Sequence, residues 1–436
     1  MLMGIDIGTT SISIVVFDSI RRRVAEVINV KNDFCVDDTR PYRYAQDPTK
    51  IAATVLQLCN TLFTRYHVIK IGVTGQMHGI LYVDGDGEPV SRLYTWQDES
   101  GENICRGNQS YREYINEITG YDLVKGIAFG CVTHFYLQQN NEIAKNAARL
   151  CTIGDFIVMK LCRNREPVMH ISNAAGLGLY RLADRRFDWE AMEKLSMDVS
   201  YFPCIESGYA VAGHTEENIP VAVAIGDNQA SFLGSVVDME GEVLLNLGTG
   251  GQISCFSKEV VTGACIETRP LAGSDFLVVS TVHCGGRAYA ALEHFFRSVV
   301  AMAGFDAGPL YDAMERSIGN YRQSKEDIMV NTAFCGSRSN PMQRGEISNI
   351  TLRNFTPENL VHGFLRGIAA ELHPVFLEFA KSRHFCKLTA SGNTIRKNQA
   401  FQKILKELYG LPLQLTEFPE EAACGAAFFA EKTEPL

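Results

Sequence analysis

Two short segments of this chain combine glycine and threonine in the way that phosphate-binding turns do. Residues 4–11 read GIDIGTTS, residues 246–254 read NLGTGGQIS, and each segment joins two apolar runs. Glycine lets the backbone approach a bulky anion, while threonine hydroxyls and successive N–H groups supply hydrogen-bond donors. The pair predicts two hairpins that bind the phosphates of one nucleotide. The residues concerned are Gly8, Thr9 and Thr10 in the first hairpin and Gly248, Thr249 and Gly250 in the second.

An acidic residue interrupts the apolar run that enters the first hairpin. Asp6 lies within LMGIDIG, where a buried charge is costly unless it meets a cation or hydrogen-bond donors. Mg²⁺ commonly takes one or two carboxylates, keeps several waters and binds substrate phosphates. Asp6 is therefore the candidate magnesium ligand.

Strand and helix patterns alternate in the first half of the chain. Residues 2–7 and 12–18 read as a strand pair, and RRRVAEVINV continues as a third strand. DPTKIAATVLQLCNTLFTRY has helical periodicity, with Pro48 inside its start, and VIKIGVTGQMHGILYVD reads as strand, turn and strand. This alternation predicts an α/β layer architecture.

The second half repeats the order. IPVAVAIGDNQASFLGSVV is a buried strand run broken at Gly226, and the second hairpin then opens a new set of strands. The helices and strand expected after it are AYAALEHFFRSVVAMAG, one long helix LVHGFLRGIAAELHPVFLEFAKS, the strand KLTASGN, NQAFQKILKELYG and EEAACGAAFFAE. Two similar halves predict two domains, residues 1–222 and 223–436, that face each other across a cleft, where small-molecule sites tend to form.

Composition limits the class of protein. The chain of 436 residues has a net charge of −9, which argues against general binding to nucleic acid or anionic membranes. Its 13 cysteines include no Cys-x-x-Cys pair and lie mostly in apolar stretches. This pattern predicts buried free thiols in a reducing cytoplasm. No apolar run approaches the length of a membrane span. We therefore expect a cytoplasmic enzyme with no membrane or nucleic-acid partner.

The landmarks resemble, in order and over essentially the whole length, the FGGY carbohydrate kinase family of the actin and Hsp70-like ATPase fold. They are GIDIGTT, TGQMHG at 74–79, WQD at 96–98, GDNQA at 226–230, NLGTGG, FCGSRSNPMQRG, ASGN at 390–393 and EEAACGAA. The resemblance implies two actin-like (ribonuclease H-like) α/β domains that face an interdomain cleft. It also implies ATP and Mg²⁺ as cofactors, a homodimer, and phosphorylation of a terminal hydroxyl of a ketose sugar.

Asp227 of GDNQA matches the catalytic base of that family. A sugar hydroxyl is a poor nucleophile, so phosphoryl transfer gains from a carboxylate that orients the hydroxyl and accepts its proton. An Asp after a glycine is also a common N-cap of the following helix, and both roles are compatible.

The sugar contacts implied by the resemblance come from two further motifs and from Asn228. Gln76, Met77 and His78 lie between two glycines that allow a tight turn, and a polyol needs donors and acceptors around a small apolar contact. Trp96 offers an indole face to sugar C–H groups, and Asp98 can accept from two hydroxyls. A packing role is the alternative for His78 and for Trp96.

Two segments of the second half match the family's nucleotide site. Gly286 of GGR opens a helix whose first amides can face phosphate, although a plain strand-to-helix turn explains it equally well. Gly392 and Asn393 match the adenosine segment, where glycine lets the backbone lie along a purine. Gly-Asn is also an ordinary turn.

One residue departs from the family pattern. Relatives often have Lys or Arg just after the first hairpin turn, where this chain has Ser13. Arg338, Arg344 and Lys397 are candidates for the missing positive charge. The alternatives to a kinase are an actin-like ATP-binding regulator, which would need neither TGQMHG nor WQD, and a degenerate kinase that binds sugar without turnover.

Overall fold

The computed structural model describes residues 1–263, 265–319, 326–336, 340 and 342–434. Arg338, one of the candidates for the missing positive charge, lies outside these residues. Fourteen helices occur in the described part of the chain. They are α1 Pro48–Phe63, α2 Tyr111–Thr119, α3 Gly130–Gln139, α4 Ile153–Cys162, α5 Ile171–Gly176, α6 Trp189–Lys194, α7 Asp227–Ser235, α8 Gly286–Met302, α9 Tyr311–Ser317, α10 Pro357–Glu371, α11 His373–Ala380, α12 Asn393–Arg396, α13 Gln399–Tyr409 and α14 Glu421–Glu431.

The strands of the first half are mostly short, apart from the first three and the sixth. They are β1 Leu2–Ile7, β2 Ser11–Asp18, β3 Arg23–Lys31, β4 Cys35–Val36, β5 Ala45–Gln46, β6 Lys70–Gly75, β7 Leu81–Val83, β8 Leu93–Tyr94, β9 Ile104–Arg106, β10 Gln109–Ser110, β11 Arg149–Cys151, β12 Val168–His170, β13 Tyr180–Arg181, β14 Arg186–Phe187, β15 Cys204–Glu206, β16 Val211–His214, β17 Pro220–Ala222 and β18 Ile225–Gly226.

The remaining strands follow α7. They are β19 Glu242–Leu247, β20 Gly251–Ser257, β21 Glu267–Ala272, β22 Asp275–Val282, β23 Met329–Asn331, β24 Glu346–Ser348, β25 Lys387–Ser391 and β26 Leu413–Leu415.

Two compact units divide the chain. The first contains Met1–Gly234, Arg269–Asp275 and Phe418–Leu436, and the second contains Ser235–Thr268 and Phe276–Glu417. This division differs from the boundary expected between residues 222 and 223. The physical reason is that β18 pairs with β6 of the first sheet and that α7 packs closely against α14.

The main sheet of the first unit has the order β16-β17-β6-β1-β2-β3, with β18 also paired to β6. β1 and β2 pair antiparallel and form the first expected hairpin, while β1, β17 and β18 run parallel to β6. The core beneath the sheet includes Met3, Ile5, Val55, Ile71 and Phe156, which are fully or almost fully buried. The expected strand and helix order is confirmed here.

The second unit repeats this pattern. Its sheet includes the consecutive strands β22-β20-β19-β25-β26, in which β19 pairs antiparallel with β20 and parallel with β25. Both Gly-Thr segments are therefore turns between the central strand of a sheet and its antiparallel neighbour. The mixed α/β architecture expected from the sequence is confirmed in both units.

Local sequence explains where several helices begin and end. Asp47 caps α1 through its side chain, which accepts from the N–H groups of Thr49 and Lys50, and Pro48 follows in the first turn. The single long helix expected over residues 360–382 is wrong, because the structure has α10 and α11 with a break at Leu372. Pro374 has no N–H for a continuing helix and restricts His373 before it.

The last helix of the chain packs on the first sheet through glycines. A Cβ at Gly4 would overlap the carbonyl oxygen of Ala423, and one at Gly72 would overlap that of Ala426. Gly234 and Gly425 allow the same close approach between α7 and α14. Among the described helices, none has the length and apolar character needed to cross a bilayer.

Candidate active site

Three parallel strands of the first unit end beside one another and carry the predicted reactive residues. Asp6 of β1 is paired with Thr74 of β6, and Gly226 of β18 is paired with Gly75. Asp227 follows Gly226 directly and Gln76 follows Gly75. The carboxyl ends of parallel strands meet at one edge of a sheet, which is where ligands bind in such folds. The topology thus brings together residues far apart in sequence.

Asp6 and Asp227 have strongly perturbed acidity. Burial, together with the negative charges of Asp227 and Glu420, raises the pKa of Asp6 to about 7. Burial raises the pKa of Asp227 to about 6, although the positive charge of Arg269 and hydrogen bonds from Asn228 act in the opposite direction. The Asn228 side-chain amide donates to Asp227 Oδ1 over 2.9 Å. Two carboxyl groups that are hard to ionise at one strand edge are typical of a catalytic or cation-binding site.

Two further candidates here, Glu420 and Arg269, were not predicted from the sequence, although Glu420 is the first residue of the EEAACGAA landmark. Glu420 has a left-handed backbone conformation, with φ of 53°, and accepts a hydrogen bond of 2.7 Å from the hydroxyl of Ser13. The Asn29 amide donates to Ser13 Oγ over 2.9 Å and to Glu420 Oε1 over 3.2 Å. The residue that replaces the usual Lys or Arg is therefore bound to a carboxylate.

The other missed residue is Arg269, which lies in the short return of the chain to the first unit. Its guanidinium is the positive charge that acts on the pKa of Asp227. Nothing in the local sequence TRPLA indicates such a role. Arg344 and Lys397, the described candidates for a replacement cation, both belong to the second unit.

The predicted sugar turn lies next to Asp227. Met77 is 4% exposed, and its sulfur lies 3.6 Å from the Asn228 amide nitrogen. A Cβ at Gly226 would come within 2.7 Å of that sulfur, so any larger residue before Asp227 would displace the Met77 side chain. His78 has a φ of 71°, and its Nδ1 lies 2.6 Å from the carbonyl oxygen of Gly176. The turn thus contacts the start of α7 through Met77 and the end of α5 through His78.

Trp96 and Asp98 differ in their surroundings. The Trp96 side chain is exposed enough to reach a ligand, at 36%, and its Nε1 donates to Thr9 Oγ1 over 2.9 Å. The Asp98 side chain is fully buried, and its oxygens accept from the backbone N–H groups of Tyr44 and Ser100. Asp98 therefore orders its own loop, and a direct sugar contact by this residue stays a prediction.

The predicted nucleotide residues of the second unit also come together. The N–H of Gly286 donates to the carbonyl of Gly248 over 2.8 Å, and that of Gly285 donates to Thr249 over 3.1 Å. Gly392 has a φ of 102°, and a Cβ there would overlap the carbonyl of Leu247. Asn393 begins α12 immediately afterwards. The second hairpin, the turn before α8 and the Gly-Asn segment thus form one backbone-lined corner.

The first unit offers few protein ligands for a cation, and magnesium needs only a few. In the described residues no three His, Cys, Asp or Glu side chains converge as a metal cage. Magnesium needs no such cage, because it keeps water ligands and binds substrate phosphates. The excess negative charge around Asp6 is the feature that a divalent cation would offset.

The comparisons with known proteins agree with this fold. Residues 1–234 match the FGGY family of carbohydrate kinases, N-terminal domain. The chain belongs to the FGGY carbohydrate kinases, which are phosphotransferases with an alcohol group as acceptor. The predicted family is confirmed, as is the class of enzyme.

Individual relatives show how far that similarity extends. The sedoheptulokinase of Mus musculus is 25% identical, over 98% of this chain and 96% of its own. Xylulose kinase from Lactobacillus acidophilus, solved with a ligand, has a TM-score of 0.81 at 17% identity, covering 99% of this chain and 88% of that one. Glycerol kinase from Plasmodium falciparum, solved with ADP, has a TM-score of 0.79 at 19% identity, covering 98% and 88%. FGGY kinases use ATP, and this chain is a sugar kinase of that family.

Proposed function

We propose that this enzyme transfers the γ-phosphoryl group of Mg-ATP to a terminal hydroxyl of an open-chain or furanose ketose, with sedoheptulose as the first candidate and D-xylulose as the second. The observation that carries the proposal is the adjacency of Asp227, with its raised pKa, to the Gln76–His78 turn. The combination of GDNQA, NLGTGG and SGN-x-x-RKN resembles sedoheptulokinases most and xylulokinases next. The mouse relative supports sedoheptulose as the first candidate.

The roles of the first unit's residues follow from their chemistry. Asp227 accepts the proton of the attacking hydroxyl, and Asn228 orients its carboxylate through the hydrogen bond to Oδ1. Gln76, His78 and Trp96 bind sugar hydroxyls and C–H groups, while Met77 supplies the apolar contact. Asp6 holds Mg²⁺, which when bound neutralises phosphate charge during transfer.

The second unit binds the nucleotide in this proposal. Amides at Gly248, Thr249 and Gly250 donate to phosphate oxygens, and Gly286 holds this turn in place through the hydrogen bond from its N–H to the Gly248 carbonyl. Gly392 and Asn393 lie along the adenosine. Thr9 and Thr10 provide the phosphate contacts of the first hairpin. The cytoplasm is the expected location.

ADP production with Mg-ATP and a panel of acceptors tests the substrate assignment. The panel contains sedoheptulose, D-xylulose, D-ribulose, L-ribulose, L-fuculose, gluconate and glycerol. We expect sedoheptulose to give the largest rate above the ATPase rate without sugar. A larger rate with another acceptor would reassign the substrate. No stimulation by any of them, in a folded sample that binds ATP, would instead indicate a degenerate kinase and overturn the proposal.

A further inference from the structure

A buried glutamine lies between the first hairpin and the sugar turn. Gln46 ends β5, is 1% exposed and directly precedes Asp47, the N-cap of α1. β5 is also paired with β8, and Trp96 follows β8 in the chain. Strand pairing and the helix cap therefore fix the backbone of Gln46 on both sides.

The side chain of Gln46 closes a ring of hydrogen bonds. Its Nε2 donates to the carbonyl oxygen of Thr9 over 2.8 Å, and its Oε1 accepts from Gln76 Nε2 over 2.8 Å. The ring is completed by Thr9 Oγ1, which donates to Gln76 Oε1 over 3.4 Å. Trp96 joins it by donating to the same threonine oxygen over 2.9 Å.

Chemistry fixes the direction of every bond in this ring. The indole N–H of Trp96 can only donate, so the Thr9 hydroxyl oxygen accepts from it and the Thr9 O–H donates to Gln76 Oε1. The Thr9 carbonyl can only accept, so Gln46 must present its Nε2 there and its Oε1 to Gln76. Each amide thus has one orientation, and Gln46 connects the Gln76 side chain to the hairpin backbone at Thr9.

We propose that Gln46 is a positioning residue that couples ATP binding at the first hairpin to the conformation of the sugar turn. Gln46 has this role only if the hairpin binds ATP phosphates and the turn binds sugar, so the inference rests on the proposed function. By linkage, sugar bound at the turn then raises ATP affinity by the same factor by which ATP raises sugar affinity.

Gln46→Met is the variant that opens the ring. Methionine has a similar length and no amide, so it removes both bonds with little change in volume. Gln138→Met is the matched control in the same unit, because the Gln138 amide also makes two hydrogen bonds, to the carbonyl of Ser196 and from the N–H of Asp198, each over 2.8 Å. Gln138 lies outside the proposed site.

Amide hydrogen exchange with a magnesium complex of a non-hydrolysable ATP analogue, and no sugar, gives the primary test. We expect the analogue to slow exchange at residues 246–254 and 74–79 in the wild-type chain and in Gln138→Met. In Gln46→Met, slowing at 246–254 should remain while slowing at 74–79 is lost. Equal slowing at 74–79 in Gln46→Met, or no effect there in the wild-type chain, overturns the proposal.

A second measurement uses the acceptor that gives most ADP. Its presence should lower the dissociation constant of the ATP analogue in the wild-type chain, and Gln46→Met should lose roughly fivefold to tenfold of that gain, as the net loss of about one hydrogen bond would produce. An unchanged gain in Gln46→Met contradicts the coupling. Absence of any active acceptor overturns the proposed function alone, because the exchange test needs no sugar.

If Gln46→Met does not fold, Thr9→Val opens the ring at its other side. The variant removes the hydroxyl between Trp96 and Gln76 and leaves the Thr9 carbonyl in place. It should likewise lose the slowing at 74–79, and retention of that slowing would overturn the proposal.

Discussion

Asp227 must be ionised to accept a proton, and its surroundings oppose ionisation. Burial holds its pKa near 6, while Arg269 and Asn228 prevent a larger rise. A base with a pKa close to the working pH combines a useful ionised fraction with a strong tendency to take the proton. The residue therefore has the acidity that the proposed reaction requires.

Replacement of the base gives the first prediction. Asp227→Asn keeps the size of the side chain and removes its basicity, so we expect kcat to fall by roughly 10²- to 10⁴-fold. ATP binding, measured by calorimetry, should remain within about twofold of wild type, since the proposed nucleotide contacts are elsewhere. A near-normal kcat in the coupled assay would show that Asp227 is not the base.

The pH dependence gives the second prediction. The active form is the deprotonated one, so kcat/KM should rise with pH through about 6 and level off above it. Higher Mg²⁺ should move this midpoint to lower pH, because a cation held by Asp6 favours the ionised form of the neighbouring Asp227. Rate profiles between about pH 5 and 8 at two magnesium concentrations check both points. A flat profile would contradict them.

At the scale of elements, the close packing of α14 depends on glycines, which have no side chain. Gly425 faces the backbone of α7, where a Cβ would overlap the carbonyl of Ala230. Backbone atoms cannot rotate away as the end of a flexible side chain can. The alanines and the single glycine of EEAACGAA thus allow close packing of the helix that follows Glu420.

Gly425→Ala is therefore expected to destabilise the first unit. Alanine gains about 1 kcal/mol of helix propensity, but the overlap with backbone costs roughly 1–3 kcal/mol or more. The net effect should lower Tm by about 2–4 °C for each kcal/mol lost. Gly85→Ala is the control, because a Cβ there has no atom within 4 Å. An unchanged melting curve for Gly425→Ala would show that α14 can move away from α7.

At the scale of the whole molecule, the first unit is discontinuous in sequence. Phe418 and Phe428 come from the end of the chain and pack against Phe17 of β2, with ring centroids 5.2 and 4.8 Å away. Leu2 and Val15 belong to the same cluster. The first unit therefore lacks part of its core until the chain returns to it.

A fragment of residues 1–234 is expected to fold poorly for this reason. It exposes the apolar surface that α14 covers, so circular dichroism should show a broad, low-temperature melt, and size-exclusion chromatography should show aggregation. Joining residues 418–434 to its end through a flexible linker should restore a cooperative transition. Equal melting of the two fragments would show that α14 is dispensable.

Local sequence determined a large part of this protein. The two Gly-Thr hairpins, the strand and helix order, the start of α1 around Pro48 and the family membership all follow from short patterns, because turns, helix starts and periodicity are local properties. The long helix predicted through His373 is wrong for a local reason as well, because Pro374 disfavours helical backbone at the residue before it.

Only the tertiary structure decided which distant residues share the site. Glu420 and Arg269 come to the edge beside Asp6 and Asp227 because their segments return to the first unit from late in the chain, and no local pattern encodes such a return. Gln46 directly precedes the N-cap of α1. Its contacts with Thr9 and Gln76 nevertheless depend on how the end of β5 lies beside the turns that follow β1 and β6. Residue types set the available chemistry, whereas the relative placement of strands, which depends on packing of the whole unit, selected the residues that can act together.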